Sequence, residues 1–297
     1  MIGVRPAESD ADLDAWIHVR RVILPNESAG TAEQLRARAT ADRALLLAEL
    51  DGTLAGSGLG DRSDMSSRAF LAPRVLPGRR RRGVGTALLR ELAAHALALD
   101  VREAVAHVDA RDEGSVAFAH RFGFEEVDRQ VEQVRRLGDE PAAVPPSGLR
   151  FVTIAERPDL LRQAYGLALE GYADLATDRP ATVSLEEWLR EEATLPEGSF
   201  VALAGHEIVG YSGLCRHENP GTAEDGLTVV RRDHRCRGLA TALKRAELAW
   251  AAANRIREIV TWTQHGNEGM RRVNEALEFR TRDVSLTMAA SLPLRLE

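Results

Sequence analysis

Lysine and cysteine are nearly absent from this chain. Of its 39 basic side chains, 38 are arginine and Lys244 is the exception. A bias spread over the whole sequence fits a GC-rich coding sequence better than selection for guanidinium chemistry at one site. The two cysteines, Cys215 and Cys236, are too few for a disulfide framework or a four-cysteine zinc site, so a reducing cytoplasm and no metal are expected. No stretch of about 18 apolar residues exists, which excludes a hydrophobic membrane-spanning helix. Residues 1–6 lack a basic stretch followed by an apolar run, so no secretory signal is expected there. With 39 basic against 45 acidic residues the net charge is −6. That argues against general nucleic-acid binding, although local arginine clusters could still hold phosphates. What remains is an ordinary globular composition, 44% hydrophobic and 28% charged over 297 residues. It allows one large domain or two medium ones.

An internal repeat decides for two. Val75 to Leu88 reads like Val230 to Leu243, and Gly83 and Gly238 lie 155 positions apart. The same offset carries Asp112 onto Asn267, Phe118 onto Val273 and Phe124 onto Phe279. Between the halves, residues 137–148 hold three prolines and three glycine or serine positions typical of a linker. The division expected is residues 1–138, a linker at 139–148, and residues 149–297.

Each half reads as α+β. Apolar periodicity predicts strands near 2–5, 44–50, 53–59, 69–76, 103–108 and 127–137, with helices near 10–21, 31–41, 83–99 and 112–122. The second half repeats the order, with strands at 151–155, 200–204, 207–214, 226–230, 258–263 and 282–288. Its helices fall at 158–170, 184–192, 238–254 and 267–277. Each half is therefore expected to be a mixed, mostly antiparallel sheet flanked by helices.

The informative place in each half is a strand-to-helix junction. Arg80-x-x-Gly83-x-Gly85 follows one strand and Arg235-x-x-Gly238-x-Ala240 the other. Free N–H groups at a helix start, small residues and neighbouring arginines make such a loop suited to a pyrophosphate. The third glycine of a dinucleotide fingerprint is missing, and so is the Gly-Lys-Ser/Thr of a P-loop.

These paired loops, each followed by a helix ending Phe122-Gly123-Phe124 or Leu277-Glu278-Phe279, resemble the GNAT superfamily of N-acetyltransferases, in its tandem two-domain form. The resemblance covers nearly the whole chain. It departs at Asp112, where the family has Asn, and at Glu278, where Gly is usual. It implies a GNAT-like domain in each half and acetyl-CoA as co-substrate. The pyrophosphate would lie on Arg80, Arg81, Arg82, Gly83, Val84, Gly85 and Thr86, or on Arg235, Cys236, Arg237, Gly238, Leu239, Ala240 and Thr241. The pantetheine would run beside Val75 and Leu76, or Val229 and Val230. The partner implied is a small-molecule amine, with neither nucleic acid nor membrane, and the chain a pseudo-dimeric monomer or a homodimer.

The resemblance also places a general base about eleven residues before the motif arginine. That position is Ala69 in the first half and Glu224 in the second, with Asp225 adjacent. Strand alternation lets only one of these two acids face a cleft, unless a bulge intervenes. Residues 219–225 read as a loop, which leaves a solvated acid as the competing reading. The family's tyrosine acid falls on Ala119 and Asn274. Asn267 is read as a helix N-cap that shapes the site. Glu170, Tyr172 and Asp174 are candidates for reading the acceptor, or plain surface residues. The first half is thus expected to keep its cofactor loop but lose its chemistry, and the second to be catalytic. A non-catalytic acetyl-CoA-binding module is the alternative.

Overall fold

A computed structural model describes residues 1–25, 30–62, 68–175 and 183–295. The first half of the chain runs β1 (Ile2–Pro6), α1 (Asp10–Ile23), α2 (Ala32–Ala37), β2 (Ala44–Leu50), β3 (Thr53–Arg62), β4 (Arg68–Val75), α3 (Val84–Ala98), β5 (Glu103–Asp109), α4 (Glu113–Arg121) and β6 (Glu125–Arg136). The second repeats it with β7 (Arg150–Thr153), α5 (Asp159–Ala173), α6 (Leu185–Glu191), β8 (Phe200–Ala204), β9 (Glu207–Arg216), β10 (Thr222–Val230), α7 (Leu239–Ala253), β11 (Glu258–Gln264), α8 (Glu268–Ala276) and β12 (Arg280–Ser291). The repeat seen in the residues is thus a repeat of elements. No helix among the described residues is long and apolar enough to cross a membrane.

The chain forms two compact units: Met1–Val127 with Leu286–Glu297, and Asp128–Ser285. In the first, β1 to β4 pair antiparallel in sequence order and β4 pairs parallel with β5. The C-terminal segment joins this unit, where Leu292 N–H donates to the Arg102 carbonyl at 2.9 Å. In the second, β7 to β10 pair antiparallel, and β10 pairs parallel with β11. Residues Gln130 to Arg136 of β6 then complete the sheet against β11. The units therefore differ from the division drawn at residues 138 and 149. Most of β6, from Asp128, falls in the second unit with the linker, and the end of β12, from Leu286, falls in the first.

Helices are set where the sequence offers caps and apolar stripes. Ser9 caps α1 in a reciprocal box with Asp12, and Thr31 caps α2 in one with Gln34. The buried stripe of α1 is Leu13, Trp16, Ile17 and Val19, and the Trp16 indole N–H donates to the Gly58 carbonyl at 2.9 Å. In the second unit Trp188 of α6 ties that helix to α5, donating to the Leu161 carbonyl at 2.9 Å, and packs on Tyr211 of β9, ring centroids 5.2 Å apart. Each indole is buried with its N–H satisfied, which fixes the early helices of each unit in place.

The exchange of strands yields a test. A fragment spanning residues 128–285 should unfold at higher urea than one spanning 149–297, because the latter leaves the edge of β11 unpaired.

Candidate active site

Both strand-to-helix loops have one shape. Arg81 and Gly83 sit at φ of 59° and 85°, Cys236 and Gly238 at 59° and 76°. This left-handed pair turns the chain sharply, and glycine at the helix start takes that conformation without strain. Neither α3 nor α7 has a side-chain cap, whereas Ser9, Thr31 and Ser184 cap α1, α2 and α6. The first N–H groups of α3 and α7 are thus left for another acceptor, with the positive end of the helix dipole behind them. Arg235 is fixed beside its loop, its Nε donating to the Val230 carbonyl at 2.8 Å.

In the second unit this loop opens onto a groove of about 600 Å³. Its origin is in the sheet. β10 pairs with β11 only over Thr222 to Asp225, and a bulge interrupts β10 between Asp225 and Thr228. Beyond the bulge the two strands part. Leu227, Thr228, Val229 and Val230 form one wall, and Arg235, Cys236, Gly238, Leu239, Ala240 and Thr241 form the floor. Asn267, Met270, Val273 and Ala276 of α8 form the other wall. A Cβ placed on Gly238 would meet nothing within 4 Å, so the space in front of the loop is open.

The first unit keeps the loop but sets a phenyl ring against it. Val75, Gly85 and Phe118 correspond to Val230, Ala240 and Val273, which line the open groove. Here they touch. A Cβ on Gly85 would lie 3.3 Å from the Phe118 ring and 3.5 Å from Val75 Cγ2. Phe118 is braced by Phe122, ring centroids 4.9 Å apart. Arg80 Nη1 is drawn 3.0 Å from Asp112 Oδ2, at the position that Asn267 holds in the other unit. Above Gly83, Ile2 stands 3.2 Å from where a Cβ would be.

These features have a match among known proteins. Residues 13–124 and 161–279 each fit the Acetyltransferase (GNAT) family. The chain belongs to the GNAT acetyltransferases. A mycothiol acetyltransferase of Catenulispora acidiphila is 25% identical over 295 residues, covering 94% of this chain and 83% of that one. One from Brachybacterium faecium is 35% identical over 188 residues, 58% of this chain and 55% of that one. Among solved structures, a GCN5-related N-acetyltransferase of Sphaerobacter thermophilus superposes with TM-score 0.79 at 19% identity, covering 98% and 95% of the two chains. A tandem GNAT protein from the clavulanic acid biosynthesis pathway superposes at 0.75, 23% identity and 98% of each chain. As a GNAT acetyltransferase the chain is an acyltransferase with two tandem domains, and the family implies acetyl-CoA as donor.

In this GNAT fold the two adjacent acids of β10 part company. Residues 219–225 are not all loop, because β10 begins at Thr222. Asp225 turns to the α7 side, where it is 3% exposed and ion-paired with Lys244 Nζ. It is no candidate base: its carboxylate is in the core. Thr228 Oγ1 donates to Asp225 Oδ1 at 3.3 Å, and Thr261 Oγ1 to the Asp225 carbonyl at 3.0 Å. Glu247 completes the buried cluster, and burial pushes its carboxyl up and the Lys244 ammonium down. Glu224, one residue earlier, faces the opposite side and is half-buried. Burial raises its pKa, with His217 lowering and Glu132 raising it further.

The other expected site residues fall as follows. Asn267 caps α8, its Oδ1 accepting from Met270 N–H at 3.3 Å, and it also lines the groove. Asn274 does not face the groove. It is fully buried against the sheet, donating to Gln133 Oε1 at 3.0 Å and Thr263 Oγ1 at 3.4 Å. Glu170 and Asp174 hold loop arginines: Asp174 lies 2.6 Å from Arg232 and 2.7 Å from Arg235. Tyr172 is half-buried beside Trp188. Among the described residues no group of three His, Cys, Asp or Glu could hold a metal. Reading the sequence missed Glu192, which lies just after α6 and reaches the β10 bulge, and it missed the Lys244 clamp. A lone lysine among arginines was the available signal for the clamp. Nothing near Glu192 in sequence signals its place.

The buried ion pair gives a direct test. Lys244→Met should cost about 3–5 kcal/mol in urea unfolding, because it strands the Asp225 carboxylate in the core. Adding Asp225→Asn should restore part of that loss.

Proposed function

We propose that this GNAT acetyltransferase moves an acetyl group from acetyl-CoA to the amine of a small molecule, using the groove of the second unit. The observation that carries this reading is one place in β10. There the strand leaves β11, an uncapped helix start faces an open groove, and Glu224 stands one rung before the last pair, Asp225 with Thr261. The residues fit the donor. The α7 N–H groups and Arg235 suit its pyrophosphate, and the unpaired edge of residues 227–230 suits an extended pantetheine arm.

Glu224 is the proton acceptor in this scheme. A half-buried carboxyl with a raised pKa is a better base near neutrality than a solvated one. Transfer goes directly to the amine. Cys215, the register partner of Glu224, is no nucleophile, because burial pushes its thiol up to about 12. The leaving thiolate needs no strong acid, since a free thiol has a pKa of about 8.5. Two relatives named mycothiol acetyltransferase support a small-molecule acceptor over a protein. The Phe118 ring set against the first loop supports donor binding in the second unit alone.

The test is thiol release from acetyl-CoA over a panel of amines. Turnover above hydrolysis is expected. Glu224→Gln should lower kcat by about 10²-fold or more with donor binding intact. Gly238→Glu should abolish donor binding, because it puts a charged side chain in front of the loop at a positive φ. Tight acetyl-CoA binding with no acceptor turned over would leave a binding module.

A further inference from the structure

The groove described above ends at Leu227, and beside that end stands a carboxylate that the scheme so far does not use. Glu192 follows α6 and lies across the sheet face that bears Glu224. Its Oε1 accepts from the Tyr211 hydroxyl at 3.1 Å, and the N–H groups of Leu227 and Ala193 point at it. Two glycines make room for it. A Cβ on Gly213 would collide with Glu192 Oε1 and the Tyr211 hydroxyl, and one on Gly226, in the bulge, would lie 3.2 Å from Oε1. The acid is thus seated on the bulge by two adjacent strands that lack side chains at that spot. It is not sealed in: Glu192 is partly exposed and Gly226 is exposed.

The charges on this face are unbalanced. Glu132 is matched by Arg282 at 2.6 Å. Glu192 and Glu224 have no arginine or lysine partner among the described residues; His217 is the basic group that faces Glu224, and each acid raises the pKa of Cys215 between them. Trp262, 40% exposed, lies two residues along β11 from Val260, the register partner of Glu224. Strand alternation puts its ring on the same face.

Resting on the acetyltransferase reading, we propose that Glu192 and Glu224 together form a two-carboxylate receptor that takes the acceptor as an ammonium ion and excludes amines with a carboxylate next to the nitrogen. The proton count fits. The ammonium nitrogen gives up one proton first, which frees the lone pair that attacks the acetyl carbon, and a second once the nitrogen–carbon bond has formed and the carbon–sulfur bond breaks. One carboxylate can take each. One proton goes on to the departing thiolate and the other to water, giving amide, free thiol and one proton.

The receptor works only when ionised. Burial pushes the Glu192 carboxyl up to about 7, the Tyr211 hydrogen bond opposes this, and Glu224 adds to it. The other titratable groups facing it are Tyr172 of α5, Cys215 of β9 and Glu247 of α7. Deprotonation switches the receptor on, so kcat/KM should rise with pH through this range.

Acetyl transfer should be measured on paired acceptors: 2-phenylethylamine against phenylalanine, histamine against histidine, and ethanolamine against serine. The wild type should favour the decarboxylated member by at least about tenfold in kcat/KM. Glu192→Gln should raise KM for those amines about tenfold or more, shrink the discrimination and leave acetyl-CoA binding unchanged. Glu192→Asp should recover part of the loss. Tyr211→Phe provides an independent variant. Removing its hydrogen bond should move the acidic limb of kcat/KM to higher pH. Equal rates on both members of each pair, or an unaltered KM and pH profile in Glu192→Gln and Tyr211→Phe, would overturn the receptor while leaving the acetyltransferase reading in place. Failure of the wild type to acetylate any amine, with acetyl-CoA bound, would remove that reading and the receptor with it.

Discussion

The groove exists because β10 leaves β11 after Asp225, and the buried contact between Asp225 and Lys244 Nζ fixes where that happens. A parallel pair would otherwise continue its ladder, since unpaired backbone groups are costly in a core. Here the cost is local. Thr261 closes the last rung on the Asp225 carbonyl, Thr228 ties the far side of the bulge to the Asp225 carboxylate, and the strands diverge into solvent-accessible space. A charged pair in a core contributes little net stability compared with apolar packing, but it penalises any other register. That specificity is what a groove of fixed width needs.

Everything functional hangs on that divergence. It frees the edge of residues 227–230, aims the groove at the α7 N-terminus and leaves Glu224 on the opposite face from the clamp. The first unit shows the same parting with a bulkier side chain beside it. Its β4–β5 ladder also stops early, at Phe70 and Val105, and its loop has the same left-handed turn. A single phenyl ring then stands against a glycine and a valine. One duplicated scaffold thus carries an open groove in one unit and a phenyl ring set against the loop in the other, distinguished by Phe118 where the second unit has Val273.

Much of this was legible in the residues. The 155-residue offset, the loop glycines and the Asn267 cap follow from local chemistry that the chain writes in consecutive positions. Alternation said that only one of Glu224 and Asp225 could face a cleft. It could not say which, because that depends on Lys244 across the sheet. Phe118 and Val273 were visible as a matched pair, but the volume they exclude is a property of three elements meeting. Asn274 fell on the family's acid position and is instead a buried ligand of Gln133. Glu192 and the exchanged terminal strands are non-local, and no periodicity reports them.

The central claim is that one unit holds the acetyl donor and the other cannot. Titration calorimetry of acetyl-CoA into the full chain measures this directly. One site per chain, undisturbed by Gly83→Glu, is the predicted result. Two sites per chain, or a single site that Gly83→Glu destroys, would contradict it.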